Sequence, residues 1–223
     1  MIYPNIFLLG RPGCGKSLVF RMFTEKLKVK KMGEEFIRMD DFPVLKEILE
    51  KDNKFERHIR KDGGFAVTDW TVVDDVLKEL DKRVRESRKD GRVIFVEFAR
   101  NDYAHALKNF KPDVLSNSVV FYIYSTFEEC LKRNIDRFEK AEMGNPDDHI
   151  VPEELMKAYY RTDDFENVFL NSPEDLRRIS PCPVFVIDSS KTGAENLKPG
   201  IEKVFSEYDD LVRSFKGVRD EKI

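Results

Sequence analysis

What this chain has little of narrows its class before any motif is read. It carries three cysteines in 223 residues, Cys14, Cys130 and Cys182, scattered with no C-x-x-C pair and no metal-binding spacing. That pattern argues against a disulfide framework or a structural zinc site and fits a reducing compartment. Neither sign of charge dominates, since 39 Lys and Arg stand against 42 Asp and Glu for a net charge of −3. There is accordingly no strong sign of a nucleic-acid partner and none of a polybasic membrane binder. No apolar run approaches the roughly 20 residues of a membrane-spanning helix. The N-terminal residues show no basic n-region and no small-residue cleavage site, so the expectation is a soluble, cytoplasmic protein. Repeats and low-complexity tracts are missing as well.

What is there is enough apolar residue, 41%, for one good core with a small inserted subdomain. Five short apolar runs alternate with helical patterns: Tyr3 to Leu9, Phe36 to Met39, Val93 to Phe98, Val119 to Tyr124 and Val184 to Ile187. Runs rich in Val, Ile and Phe suit strands covered on both faces, and the alternation predicts an α/β fold with a five-stranded parallel sheet. Val73, Val76, Leu77, Leu80 and Val84 recur at helical spacing, as do Phe127, Cys130, Leu131, Ile135 and Phe138. A last helix carries Leu197, Ile201, Val204, Phe205, Tyr208, Leu211, Val212 and Phe215. Two stretches break the alternation. Phe42 to Gly91 is far longer than a short connection and contains a polar, basic segment from Lys54 to Gly64, within which His58 reads as a surface histidine rather than a base. Glu139 to Pro183 is the other, with Gly144-Asn145-Pro146-Asp147-Asp148 as a flexible beginning and a helix start near Pro152.

Gly10-Arg11-Pro12-Gly13-Cys14-Gly15-Lys16-Ser17 matches the phosphate-binding pattern G-x-x-x-x-G-K-[ST], between a predicted strand and a predicted helix that opens with Leu18. The glycines allow the backbone to wrap a phosphate chain at a helix N-terminus, where N–H groups and the dipole favour an anion. Lys16 would reach the β- and γ-phosphates, and the Ser17 hydroxyl would bind Mg²⁺. Cys14 lies where a helix N-terminus could lower its pKa, although a loop working through its backbone tolerates such a side chain. The chain has no Asn-Lys-x-Asp guanine reader and no Asp-x-x-Gly switch; Asp188-Ser189-Ser190-Lys191-Thr192-Gly193 reads as a strand-to-helix turn.

Gly-x-Pro-Gly-x-Gly-Lys over residues 10–16 resembles the phosphate loop of the adenylate-kinase-like group of small-molecule P-loop kinases. The resemblance implies a three-layer P-loop domain over residues 1–223, with an acceptor-binding insertion at 42–91 and a lid at 139–170. It implies an ATP- and Mg²⁺-dependent phosphotransferase whose partner is a small-molecule acceptor, a nucleoside or a nucleoside monophosphate. The alternative from another class is a nucleotide-dependent switch or regulatory NTPase without such an acceptor. Either would be a monomer or a homodimer.

Asp40-Asp41-Phe42 follows the second strand, and strand C-termini line the ligand crevice of an open parallel sheet. A carboxylate there could take a hydroxyl proton, fix a sugar hydroxyl or cap a helix, and Asp-Asp-Phe is similar to the acidic strand end of uridine-kinase-like and other hydroxyl kinases. Glu97 ends Val93-Ile94-Phe95-Val96-Glu97, a Walker B pattern with Glu for Asp, and could hold a Mg²⁺-bound water or order the acceptor. Arg100 could clamp a phosphate or carboxylate of the acceptor, or pair with Glu97. Its spacing of three from the acid departs from the adenylate kinase pattern. Arg57, Arg60 and Lys61 favour a phosphorylated acceptor, whereas Asp40 and Asp41 favour a hydroxyl. Arg133 and Arg137, four apart on one helix flank, fall where the family places cations that close over the transferring phosphoryl group. Arg161 is a further lid candidate, and Asp163 and Asp164 read as helix caps.

Overall fold

The computed structural model describes residues 4–61, 64–140 and 151–220. The five apolar runs form β1 (Asn5–Leu9), β2 (Glu35–Asp40), β5 (Arg92–Phe98), β6 (Ser118–Tyr124) and β7 (Val184–Asp188). They pair side by side, all parallel, in the order β2-β5-β1-β6-β7. With β1 in the middle, every residue of that strand is buried. Alternate side chains then feed two separate cores, as the period of a strand requires. Ile6 and Leu8 join Phe95 and Phe121 on one face, under α1 (Lys16–Val29), α6 (Phe127–Lys140) and α10 (Ala194–Asp220). Phe7 and Leu9 join Val96, Phe98 and Tyr122 on the other, under α3 (Val72–Glu86), α4 (Tyr103–Leu107), α5 (Pro112–Leu115) and α8 (Asp164–Asn171). The result is a three-layer α/β/α sandwich.

Aromatic rings lock both layers. Phe23 of α1 meets Phe121 edge-on at 4.6 Å and Tyr208 of α10 at 5.5 Å. Phe7 meets Phe110 edge-on at 4.8 Å on the far side. Fully burying one such ring contributes about 1.5–3 kcal/mol, so these contacts fix how the helices sit on the sheet.

Between β2 and β5 the chain builds α2 (Asp41–Lys51), a two-stranded antiparallel hairpin of β3 (His58–Lys61) and β4 (Gly64–Val67), and then α3. The hairpin falls in the polar, basic segment, to which the sequence reading assigned no strands. His58 is corrected. It is 7% exposed rather than superficial, with its Nδ1 3.2 Å from the Asp52 carboxylate. After α6 the chain continues through α7 (Glu153–Tyr159), capped by Pro152, then α8 and α9 (Leu176–Ile179). Asp163 caps α8 by accepting from Glu166 N–H at 2.8 Å. The expected flexible stretch Gly144 to Asp148 lies outside the described residues, as does the side chain of Phe215. Among the described residues no helix is long and apolar enough to cross a membrane.

Candidate active site

The loop leaves β1 at Leu9 and delivers the chain into α1 at Lys16. Gly15 caps that helix with φ +98°, and a side chain there would meet only Ser189 Oγ, at 4.0 Å. Conformation alone demands glycine at this position, and the space beside it stays open. Gly13 is different: with φ +82°, an added Cβ would also sit 2.4 Å from the Cys130 carbonyl oxygen. The loop is pinned from both sides, by Gly10 N–H donating to Tyr103 Oη (2.8 Å) and by Ser189 Oγ donating to the Cys14 carbonyl (2.6 Å). The first turn of α1 supplies N–H groups that no helix carbonyl can take. Such a helix start suits an anion. Pro12, Ser17 and Leu18 are half-buried there.

Lys16 is 8% exposed and bends back over the loop, donating to the carbonyls of Gly10 (2.8 Å) and Arg11 (3.1 Å). Burial works against its charge, but the acids Glu97, Asp40 and Asp41 around it hold its pKa above the ordinary lysine value. Cys14 is fully buried, and burial pushes its thiol up, so the loop's cysteine is not an activated thiolate. Arg11 turns away from the loop's mouth. Its guanidinium pairs with Glu166 of α8 and reaches Ser125 O (3.2 Å) and Asp163 (3.6 Å). Only its backbone is left to serve a nucleotide.

The acids collect at the ends of β2 and β5. Register places Asp40 directly opposite Glu97. Glu97 Oε1 lies 4.0 Å from Lys16 Nζ, and Glu97 Oε2 accepts from Arg38 Nε at 2.8 Å. Burial pushes the Glu97 carboxyl up from the ordinary range, against the pull of Lys16 and Arg38. Asp40 accepts from Phe42 N–H (2.9 Å), which caps α2, and from Arg38 Nη2 (3.2 Å). Arg100 pairs with Asp41 (2.6 Å) rather than with Glu97, and also donates to Ala99 O (2.6 Å). Three cations and three carboxylates therefore interlock at one crevice, where an open parallel sheet binds its ligands. The donors fit Mg²⁺, which takes hard oxygen ligands and keeps waters: the Ser17 hydroxyl at the second position of α1, and the Glu97 carboxylate.

Two segments meet beside this crevice. Trp70, just before α3, stacks on Tyr159 at the end of α7, with ring centroids 5.1 Å apart and planes 17° apart. Tyr159 in turn packs edge-on against Tyr160 at 4.8 Å. The charges of Arg100 and Asp41 bear directly on Tyr160.

Other sequence candidates lie apart from this cluster. Arg57 belongs to a separate network with Asp69 (3.3 Å), Thr71 (3.1 Å) and Asp75 (2.8 Å). It helps line a 450 Å³ groove between α2 and α3 whose charges are largely paired with one another. Arg60 is exposed and lies over the Phe55 ring at 5.0 Å. Arg133 is held by Glu129 (3.0 Å) and donates to Ser189 O (2.8 Å), so it abuts the turn that pins the loop. Arg137 is half-buried one turn further along α6, and Arg161 is exposed. Sequence reasoning missed Arg38, Tyr103, Ser189 and Glu166. For Arg38 a signal existed: it is two residues before Asp40, hence on the same face of the strand.

No family model and no curated protein matches the sequence. Solved structures do. Kti12 from Chaetomium thermophilum, in complex with ADP-AlF3, superposes with a TM-score of 0.57 at 15% identity, over 94% of this chain and 99% of that one. A gluconokinase from Sinorhizobium meliloti 1021 gives 0.54 at 12% identity, over 97% and 98%. A sugar kinase from Janibacter sp. HTCC2649 gives 0.51 at 15%, over 92% and 94%. The chain shares the fold of these structures, a three-layer α/β/α sandwich entered through a P-loop. At these identities the likeness is one of architecture, and the parallel pairing of β1, β5 and β2 accounts for why the loop, β2 and β5 end at a common crevice.

Proposed function

We propose that this chain is a single-domain ATP- and Mg²⁺-dependent kinase that phosphorylates a hydroxyl group of a small acceptor. One observation carries the reading: Lys16 of the phosphate loop lies 4.0 Å from Glu97, whose strand neighbour in register is Asp40. The group that holds the donor phosphates and the acids that serve an acceptor thus share one site. The loop N–H groups and Lys16 bind the triphosphate and offset charge gathering on the transferred group. Asp40 or Asp41 takes the proton of the acceptor hydroxyl as its oxygen bonds to the γ-phosphorus and ADP departs. Mg²⁺, held by Ser17 and Glu97, would neutralise phosphate charge when bound. Residues 42–91 form the acceptor side and 139–170 the lid, whose closure excludes water and limits hydrolysis.

A hydroxyl acceptor is favoured over a phosphorylated one because Arg57 is engaged by its own acids and Arg100 by Asp41. Nucleosides are one acceptor class that supplies such a hydroxyl; the gluconokinase and sugar kinase of the same fold suggest polyols as another. Phosphate release measured with and without a panel of nucleosides, nucleoside monophosphates, sugars and hydroxy acids tests the reading. A kinase consumes ATP slowly until its acceptor arrives, and Lys16→Ala abolishes that consumption. Full activity in Lys16→Ala, or hydrolysis indifferent to every acceptor, would count against it.

A further inference from the structure

We propose that Arg38 is a positioning residue for phosphoryl transfer, holding Glu97 and Asp40 in the arrangement the chemistry uses. This rests on the kinase reading above. The register of β2 and β5 sets these two acids directly opposite one another, and like charges so placed repel. The chain meets that conflict with a single guanidinium two residues earlier on the same strand face. Arg38 Nε binds Glu97 Oε2 at 2.8 Å, and Arg38 Nη2 binds Asp40 Oδ2 at 3.2 Å. The rigid fork of arginine suits this double contact in a way that the point charge of lysine does not.

The consequence is a division of labour among the carboxylate oxygens. On Glu97, Oε2 is taken by Arg38 while Oε1 faces Lys16 across 4.0 Å. On Asp40, Oδ2 is taken by Arg38 while Oδ1 caps α2 through Phe42 N–H at 2.9 Å. Arg38 therefore fixes the rotation of the Glu97 carboxylate, and with it which oxygen is presented to the phosphate lysine. The guanidinium is itself steadied by the Phe20 ring, 5.9 Å away on α1. Phe20 and Lys16 share that helix, so Arg38 ties β2 to the element that carries the loop. Arg100 plays no part in this bridge, because it is taken up by Asp41.

The proposal is tested with Arg38→Met, Arg38→Lys, Glu97→Gln and the double variant Arg38→Met/Glu97→Gln. Each is compared for ATP hydrolysis in Mg²⁺ and, by calorimetry, for affinity toward MgADP and toward MgADP with aluminium fluoride, which mimics the transferring phosphoryl group. Arg38→Met should lower kcat and the affinity for the fluoride complex by about 10–100-fold, the scale on which mispositioned charge acts, with MgADP affinity and KM changed less than about 2-fold. Arg38→Lys should recover part of the loss. Because Arg38 acts through Glu97, the double variant should be no worse than Glu97→Gln alone. Losses that multiply in the double variant overturn the proposal. So does an Arg38→Met protein that keeps wild-type kcat and fluoride affinity while losing only thermal stability. If Arg38→Met does not fold, Arg38→Lys combined with Glu97→Gln completes the same cycle. The kinase reading is checked apart from this, by Lys16-dependent hydrolysis in the otherwise unaltered protein. Its absence sinks that reading, whereas its presence beside an inert Arg38→Met sinks only the role of Arg38.

Discussion

Two arginine–carboxylate networks occupy neighbouring parts of the molecule, and their contrast separates a site from a brace. At the strand ends, Glu97 and Arg100 are each 7% exposed, and their partners Arg38 and Asp41 come from 59 residues earlier in the chain, on β2 and at the start of α2. In the insertion, Arg57, Asp69 and Asp75 have side chains 26%, 41% and 43% exposed and lie within one stretch of chain. Ion pairs open to water contribute about 0–1 kcal/mol, whereas removing one partner of a buried pair costs about 3–5 kcal/mol. A fold tolerates buried charge where something else uses it, and only the first network adjoins the phosphate loop. The same residue types in the same chain thus carry different meanings, and burial at the strand C-termini decides between them.

The sharpest way to break that contrast is Lys16→Ala. Removing a charge aimed at the transferring group should cut phosphoryl transfer by at least about 100-fold, measured as ADP formed per enzyme with the best acceptor. Arg100→Met comes next. It strands Asp41 and should destabilise the fold by about 3 kcal/mol, read by denaturant titration, with Asp41→Asn in the same chain restoring part of the loss. A third test uses pH. Burial raises the Asp163 carboxyl from 3.8 to about 6, against the pull of Glu166 N–H, Arg11 and Tyr122, with Glu166 adding to the rise. The folded state therefore holds that proton more tightly than the unfolded chain. This contribution is complete below about pH 4 and is lost as pH climbs through about 6, at most roughly 3 kcal/mol in all. Asp163→Asn should flatten stability over that window; an unchanged slope would contradict the assignment. The smallest effect belongs to Arg57→Ala. It should cost about 1 kcal/mol or less and leave hydrolysis without acceptor unaltered, and a large loss of that hydrolysis would erase the contrast.

The legible parts of the sequence were those whose physics is local. Ile6 to Leu9 and Val93 to Phe98 are buried on both faces, so their apolar runs sufficed, and the glycines of the loop announce a backbone conformation. The β3–β4 hairpin was hidden because its strands are four residues long and partly exposed, although Asp62-Gly63 between them is a turn signal. Asp40, Asp41 and Glu97 were found as strand-end acids. What joins them was not legible, because pairing of β2 with β5 brings together residues nearly sixty positions apart. Arg38 gains its meaning only from that register, and Arg11 gains its own only from α8. The roles expected of Arg133 and Arg137 depend on the lid, part of which lies outside the described residues.

The stack of Trp70 on Tyr159 has a practical consequence. Trp70 is the only tryptophan in the chain, so the protein's indole emission arises from one place, where the segment before α3 touches the end of α7. A ligand that parts or tightens this contact changes the colour and yield of the whole protein's fluorescence. The molecule thus carries its own optical gauge for screening ligands, with no label to attach. Trp70→Phe is the matched blank.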